Sequence, residues 1–179
     1  MFRAAAIVLA GALLAGVARP AAEPSSAAAD AAAPKVLRYA FRVAETTFDP
    51  ASISDLYSAI IVANIFEAPY EYEFLARPVR LRLATAAAMP ESSADFKTFT
   101  IRLKPGIFFS DDPAFKGKPR ELVAADYVYS IKRHADPRWK SPRVSTIEQE
   151  QFLGLAELRQ AALAGKPFDY DRDIEGLRA

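Results

Sequence analysis

Carboxylates form the densest set of chemically capable residues in the chain. Asp169, Asp171 and Asp173 alternate near its C-terminal end, with the spacing at which a calcium-binding loop of the EF-hand type begins. Such a loop needs glycine at its sixth position, where this sequence has Ile174, and a bidentate glutamate at its twelfth, which lies past the last residue of the sequence. The spacing alone therefore does not predict a metal site.

Acid–base and nucleophilic chemistry has few residues to draw on. His134 is the only histidine, so neither a histidine metal cluster nor a triad that contains histidine can be assembled, and we expect a dipole or surface role for it at a helix end. Asp111 and Asp112 are adjacent, and adjacent residues of an extended segment point to opposite faces, so a turn is their expected role. No phosphate-binding glycine loop or serine elbow occurs. We expect a binding module without a cofactor rather than an enzyme.

A strand and a turn precede Asp111. Apolar and polar side chains alternate from residue 98 to residue 104, which predicts a strand with one buried face. Pro105 and Gly106 then provide the fixed φ and the positive φ of a type II turn. The aromatic run 107–109 fits a second strand or an edge segment.

The best-signalled helix covers residues 124–135. Its apolar residues recur at helical spacing, Asp126 lies in the first turn, and Lys132, Arg133 and His134 lie in the last, so the charges oppose the helix dipole at both ends. Pro137 stops the helix, because the residue before a proline is disfavoured in the α region.

Four more elements complete an α/β pattern, a mixed sheet with packed helices. Strands are predicted at 36–41 and 70–72. A helix at 55–66 is apolar almost all round and should be buried on several sides. A helix at 147–164 is followed by Gly165, which fits the position just past a helix end.

Predictions are also made for three single side chains. Met89 and Phe99 are expected to share one core. Trp139, the only tryptophan, lies among basic residues and prolines, and it fits either a stacking contact with a ligand or a surface lid or packing cap.

The first 22 residues have the features of a secretion signal. Arg3 precedes an apolar run of about 15 residues, which is short for a membrane span of roughly 20, and small residues follow. Cleavage is expected after Ala18 or Ala22, and a signal anchor is the alternative. Because the sequence has no cysteine, we expect neither a lipid-attachment cysteine nor a disulfide, and a soluble periplasmic product of a Gram-negative bacterium.

The remaining chain divides by composition. Residues 23–34 are rich in alanine, serine and proline and predict a disordered spacer, whereas residues 35–179 carry the elements described above. The formal net charge of the full sequence is +1, and no basic block occurs. This balance argues against nucleic acid as a partner.

The central motifs resemble those of one protein family. The order "Thr-Phe-Thr-Ile-Arg-Leu-Lys-Pro-Gly-Ile-Phe-Phe-Ser-Asp" at 98–111, a loop, "Leu-Val-Ala-Ala-Asp-Tyr-Val-Tyr-Ser-Ile-Lys-Arg" at 122–133 and then "Asp-Pro" is similar to the extracytoplasmic solute-binding proteins of the peptide and nickel class, which serve ABC importers. Two departures stand out. Asp112 replaces the family's glycine and is followed by an insertion, and Val123 replaces its capping threonine.

Two further motifs extend the resemblance towards the N-terminus. Residues 46–50 are similar to the family's "Thr-Leu-Asp-Pro", and residues 64–67 to its "Asn-x-Phe/Tyr-Glu" helix end. The resemblance implies that the segment just after Asp49-Pro50 borders the ligand cleft. The implied ligand-binding residues are Ser54, Asp55, Leu56 and Tyr57. The alternative is that Ser52 or Ser54 only caps the following helix.

The resemblance also implies a fold and a function. Family members have several hundred residues in two lobes around a hinge, so the chain is expected to be an incomplete, N-terminal part of a two-lobed periplasmic-binding-protein fold. The implied function is that of a periplasmic substrate-binding component, which captures di- or oligopeptides and delivers them to the membrane subunits of an ABC permease. Alternatives within the family are a nickel chelate, haem or a sugar oligomer as ligand. A secreted hydrolase fragment and a periplasmic interaction protein without a small ligand are the alternatives from other classes.

Overall fold

The computed structural model describes residues 35–179, so the predicted signal at 1–22 and the spacer at 23–34 lie outside the described residues. The chain divides into two units between residues 40 and 41. Residues 35–40 of the first unit form no regular secondary structure, and neither does residue 41, so the predicted strand at 36–41 is wrong. Val36, Leu37 and Tyr39 are exposed, so the loose alternation there buries no face. Within residues 35–179, no helix has both the length and the apolar character that crossing a membrane requires.

The second unit, residues 41–179, combines short helices with small antiparallel sheets. Its elements in chain order are α1 (Leu56–Val62), β1 (Tyr70–Tyr72), β2 (Leu81–Leu83), β3 (Glu91–Ser92), β4 (Phe99–Thr100), α2 (Ala124–Ala135), α3 (Val144–Gln149) and α4 (Leu155–Leu163). Two 3₁₀ turns, Pro113–Phe115 and Pro137–Trp139, flank α2. The mixture agrees with the expected α/β class.

The strands form two separate antiparallel hairpins. In the β1/β2 hairpin Tyr70 lies opposite Leu83, and in the β3/β4 hairpin Glu91 lies opposite Thr100. The strand predicted at 98–104 is therefore much shorter than expected, although an isolated bridge at Leu103 continues its direction. A second isolated bridge joins Phe108 to Glu121, so the run at 107–109 behaves as an edge segment.

The core that Met89 and Phe99 are expected to share is not formed. Their exposed fractions are 52% and 57%. Because β3 and β4 have only two residues each, the hairpin does not extend into a sheet with a buried face. The prediction that these two side chains share one core is wrong.

The predicted bounds of α2, residues 124–135, are confirmed. Its first turn is closed by Asp126, whose carboxylate accepts a hydrogen bond of 2.8 Å from the Val123 N–H, while the Asp126 N–H donates to the Val123 carbonyl at 3.0 Å. Valine has no side-chain acceptor, so the backbone carbonyl takes the place of the missing threonine hydroxyl. At the other end, Asp136 is extended and its side chain accepts from the Arg138 N–H.

The buried core lies where α2, α4 and the C-terminal segment meet. Its buried members are Ala135, Leu155, Leu158, Phe168 and Ile174. Burial of Leu155 and Leu158 agrees with the face predicted for this helix, and the left-handed φ of +91° at Gly165 agrees with the predicted helix end.

The single helix predicted at 147–164 is two helices, α3 and α4. The backbone between them turns through positive φ at Gln151 and Gly154. Phe152, within this break, packs against the core cluster. The interruption therefore exchanges helical hydrogen bonds for apolar burial.

The loop between α3 and α4 also closes on the end of the chain. The Gly176 N–H donates a hydrogen bond of 2.8 Å to the Leu153 carbonyl. A Cβ atom at position 176 would collide with the backbone nitrogen of Leu153, so the close approach of the two backbones depends on glycine.

Helix α1 is buried on one side only. Ser58 and Val62 are buried, whereas Leu56 is 69% exposed and Ile60 is also exposed. The prediction of a helix at 55–66 buried on several sides is therefore wrong in both length and burial. Within the part of the chain that the structure describes, the apolar outer face of α1 is exposed to solvent.

Candidate functional site

The segment that carries the predicted ligand residues begins with a turn at Asp49 and Pro50. The Asp49 carbonyl accepts a hydrogen bond of 2.9 Å from the Ser52 N–H, and the Asp49 carboxylate accepts one of 3.1 Å from the Ala51 N–H. The Thr47 hydroxyl in turn accepts from the Asp49 N–H. The turn predicted from the Asp-Pro dipeptide is confirmed.

Asp55 is the residue that caps α1. Its Oδ1 accepts a hydrogen bond of 2.8 Å from the Ser58 N–H, and its Oδ2 accepts one of 2.6 Å from the Thr46 hydroxyl. Hydrogen bonding from the side chain of Ser58, then from its backbone and from Thr46, lowers the pKa of Asp55 to about 2. The suggestion that Ser52 or Ser54 caps this helix is therefore wrong, and the carboxylate of Asp55 is ionised at neutral pH.

The four predicted ligand residues occupy consecutive positions around this cap and differ in how far they are engaged. Ser54 and Leu56 are exposed. Tyr57 is half-buried, and its ring packs on that of Phe41 at 5.1 Å between centroids with an angle of 44°. Asp55 is held by its capping bonds. The hydroxyl of Ser54 and the side chain of Leu56 therefore face solvent at the capped N-terminus of α1.

A residue far away in sequence, Arg133, holds this segment. Its guanidinium donates two hydrogen bonds to the Asp49 carboxylate, of 2.8 Å from Nη1 to Oδ1 and 2.7 Å from Nη2 to Oδ2. Although desolvation raises the pKa of Asp49, the hydrogen bonds from Arg133 and from the Ala51 N–H outweigh it and lower that pKa. Asp49 and Arg133 both lie within motifs of the sequence, at 46–50 and 122–133, but no feature of the sequence indicates that they pair.

Trp139 also contacts Arg133. The guanidinium carbon lies 4.3 Å from the centre of the indole ring, which is the geometry of a cation–π contact. The indole N–H donates to the Tyr170 hydroxyl at 2.9 Å, and that hydroxyl donates to the buried carboxylate of Asp136 at 2.6 Å. Of the two roles considered for Trp139, these contacts favour the packing cap.

Asp136 also anchors Arg138. The Arg138 guanidinium donates to Asp136 Oδ2 from both Nε and Nη2, at 2.9 and 2.7 Å. Desolvation raises the pKa of Asp136, but the hydrogen bonds from Arg138 and Tyr170 outweigh it and lower that pKa. Arg133 and Arg138 are thus each paired with a carboxylate, and both guanidinium carbons lie within 6.0 Å of the centre of the Trp139 ring.

His134 does not have the surface position expected of it. Its ring is half-buried, and Nδ1 lies 2.9 Å from the Ser141 hydroxyl. Burial, followed by the positive charges of Arg143 and Arg133, lowers the pKa of His134, and Asp49 opposes this only partly. These surroundings favour the neutral imidazole, so a role through charge at the helix dipole is not supported.

The other carboxylates that the sequence singled out lie in turns. Asp112 accepts a hydrogen bond of 2.8 Å from the Ala114 N–H, and Asp169 accepts two of 3.0 Å from the N–H groups of Asp171 and Arg172. The turn predicted for Asp112 is confirmed. In the described part of the chain, no three His, Asp or Glu side chains converge in a way that could hold a metal ion.

Comparison with known proteins gives the family. The chain matches the family described as bacterial extracellular solute-binding proteins, family 5 Middle, over residues 80–175, which is a little more than half of its length. No curated protein and no solved structure matches it significantly. The chain belongs to the family 5 solute-binding proteins. The matched residues include α2, Arg133 and Trp139, whereas residues 54–57 precede them.

Proposed function

We propose that this protein is the periplasmic substrate-binding component of an ABC importer, which captures di- or oligopeptides and delivers them to the membrane subunits of the permease. Membership of the extracellular solute-binding family, through the match at residues 80–175, is the observation that carries the proposal. Proteins of this family generally bind a solute rather than transform it, which agrees with a binding role.

The proposed ligand contacts are Ser54, Asp55, Leu56 and Tyr57. A carboxylate has about four lone-pair positions, and Asp55 uses some of them for the cap of α1, so others remain for the ammonium group of a peptide. The low pKa of Asp55, about 2, keeps it negatively charged at neutral pH. The exposed Leu56 and the ring of Tyr57 provide apolar surface for a peptide side chain.

We further propose that residues 35–179 are the N-terminal portion of a larger solute-binding domain, preceded by a cleavable signal at 1–22 and a spacer at 23–34. Two features of the described residues support this. The outer face of α1 is apolar and exposed, and each hairpin has unpaired strand edges. Segments of a second lobe would cover both.

The deciding experiment is native mass spectrometry of the full-length protein, purified gently from its own periplasm. We expect a ladder of peptide masses on the protein. A single mass that corresponds to a nickel chelate, haem or a sugar oligomer would redirect the proposal within the family. Protein that is empty, and that peptide pools do not stabilise against heat, would contradict peptide capture.

A further inference from the structure

Arg133 joins α2 to the segment that precedes α1 through two hydrogen bonds to Asp49. The two bonds to Asp49 join residues 84 positions apart, and they are parallel bonds from one planar guanidinium to one carboxylate. Such a bidentate pair fixes the relative orientation of its partners as well as their distance. The side chains of Arg133 and Asp49 are 21% and 26% exposed, so water screens the pair only in part.

The segment around Asp49, residues 46–58, is held together by its own hydrogen bonds. The Thr46 N–H donates to the Ser58 hydroxyl at 2.9 Å and the Thr46 hydroxyl to the Asp55 carboxylate, so the start of the segment is tied to the first turn of α1. Asp49 is tied to Thr47 and to Ala51 on either side. A displacement of Asp49 would therefore move the start of α1, where the proposed ligand residues lie.

Trp139 also contacts this guanidinium. The guanidinium carbon lies 4.3 Å from the centre of the indole ring, and the ring is itself fixed through the bond from the indole N–H to Tyr170. Arg133 thus has both a carboxylate partner and an aromatic ring against its guanidinium, which restricts the rotation of its side chain. The α2 end, the Trp139 turn and the Asp49 turn meet at this one side chain.

We propose that Arg133 is a positioning residue for ligand binding: it holds the Asp49 turn, and through it the start of α1, in the orientation that presents Ser54 to Tyr57. The part of this inference that concerns affinity rests on the proposed function. The part that concerns the position of the segment does not. Trp139 lies against Arg133, so its emission, taken as the difference between each protein and the same protein with Trp139→Phe, reports on the state of this contact.

The first test needs no ligand. In the full-length protein, hydrogen exchange at the Ala51 and Ser52 amides and the emission of Trp139 are compared for wild type, R133Q, R133K and the control R159Q. Arg159 is the control because its side chain is 19% exposed and binds Glu148 and the Ala135 carbonyl rather than the Asp49 turn. We expect faster exchange and altered emission in R133Q, an intermediate result in R133K, and wild-type behaviour in R159Q. Unchanged exchange at both amides in R133Q and R133K would overturn the inference.

The second test measures the affinity of the same proteins for trialanine. We expect binding to weaken about five- to tenfold in R133Q and to stay unchanged in R159Q. Equal affinity of wild type and R133Q would overturn the positioning role. Equal weakening in R133Q and R159Q would overturn it as well, since a residue that only stabilises the fold would affect both arginine variants alike. Failure of the wild type to bind trialanine would count against peptide capture instead, and the exchange and emission data would then decide the inference.

Discussion

The ammonium group of Lys132 lies 2.8 Å from the carbonyl oxygen of Tyr170, inside the protein. The Arg172 carbonyl accepts a second bond from the same nitrogen at 2.7 Å, and Lys132 is only 3% exposed. A charge at this depth is tolerated because it is hydrogen-bonded to oriented carbonyl dipoles. The contact ties the segment after α4 to the last turn of α2.

Replacement of Lys132 with methionine should therefore destabilise the protein. The variant keeps an unbranched side chain, one atom shorter, but leaves the Tyr170 and Arg172 carbonyls without their donor, which we expect to cost about 1–3 kcal/mol of unfolding free energy. Urea unfolding measures the loss. Lys118→Met, at an exposed position, is the control and should unfold as the wild type does. Equal midpoints for the two variants would contradict the role assigned to Lys132.

Stability should fall between neutral and mildly acidic pH because of His134. Its pKa in the folded protein is lowered from 6.5 by burial and by Arg143 and Arg133, so the unfolded chain takes up a proton at a higher pH than the folded one. Well above the unfolded-state pKa the ring is neutral in both states and contributes no pH dependence. As the pH falls through the unfolded-state pKa, stability is lost until the pH passes below the folded-state pKa.

Unfolding free energies at several pH values between 7.5 and 5 measure this effect. H134Q places a neutral side chain at the position and should flatten the profile, while the carboxylates with lowered pKa values, Asp49 and Asp136, act only at lower pH. A profile in H134Q that is as steep as that of the wild type would assign the slope to other groups.

Leu56 should contribute to ligand affinity but not to stability. It is 69% exposed on α1, so a serine there removes apolar contact surface without opening a cavity in the core. We expect L56S to bind trialanine more weakly at an unchanged unfolding midpoint. Leu163 at the end of α4 has a similar exposure, and L163S should leave both properties as they are. Loss of affinity in both variants would point to a general surface effect.

Asp55 allows capping and ligand binding to be separated. Asparagine also caps helices well, so D55N should preserve the fold while it removes the negative charge, whereas D55A should lower the unfolding midpoint as well. If the carboxylate receives a peptide ammonium, D55N binds trialanine more weakly than the wild type does. Wild-type affinity in D55N would remove Asp55 from the proposed contacts. Circular dichroism and calorimetric titration provide the two measurements.

Local signals made some elements predictable. The bounds of α2 were predicted from the charges in its end turns and from Pro137, all of which act within a few residues. The Asp49 turn followed from Asp-Pro in the same way. The interruption between α3 and α4 has one local sign, Gly154 within the periodic pattern, which the prediction of a single helix does not use.

Features that depend on distant partners were not predictable. A strand needs a hydrogen-bonded neighbour along its length, and the alternation at 98–104 contains no information on where the partner ends, so only Phe99 and Thr100 are paired within a strand. The pairing of Asp49 with Arg133 joins positions that no periodicity relates. The exposed face of α1 has the same origin, because apolar composition predicts burial only where a packing partner exists.

The closure at Gly176 has a consequence for mutational tolerance. Backbone meets backbone there, so even alanine cannot be accommodated without movement of the Leu153 loop, whereas the neighbouring Glu175 points to solvent. In a saturation mutagenesis library, position 176 should accept glycine alone, while position 175 accepts most residues. Glycine at position 176, one residue past the matched region, is thus a requirement that any folded variant of this protein must keep.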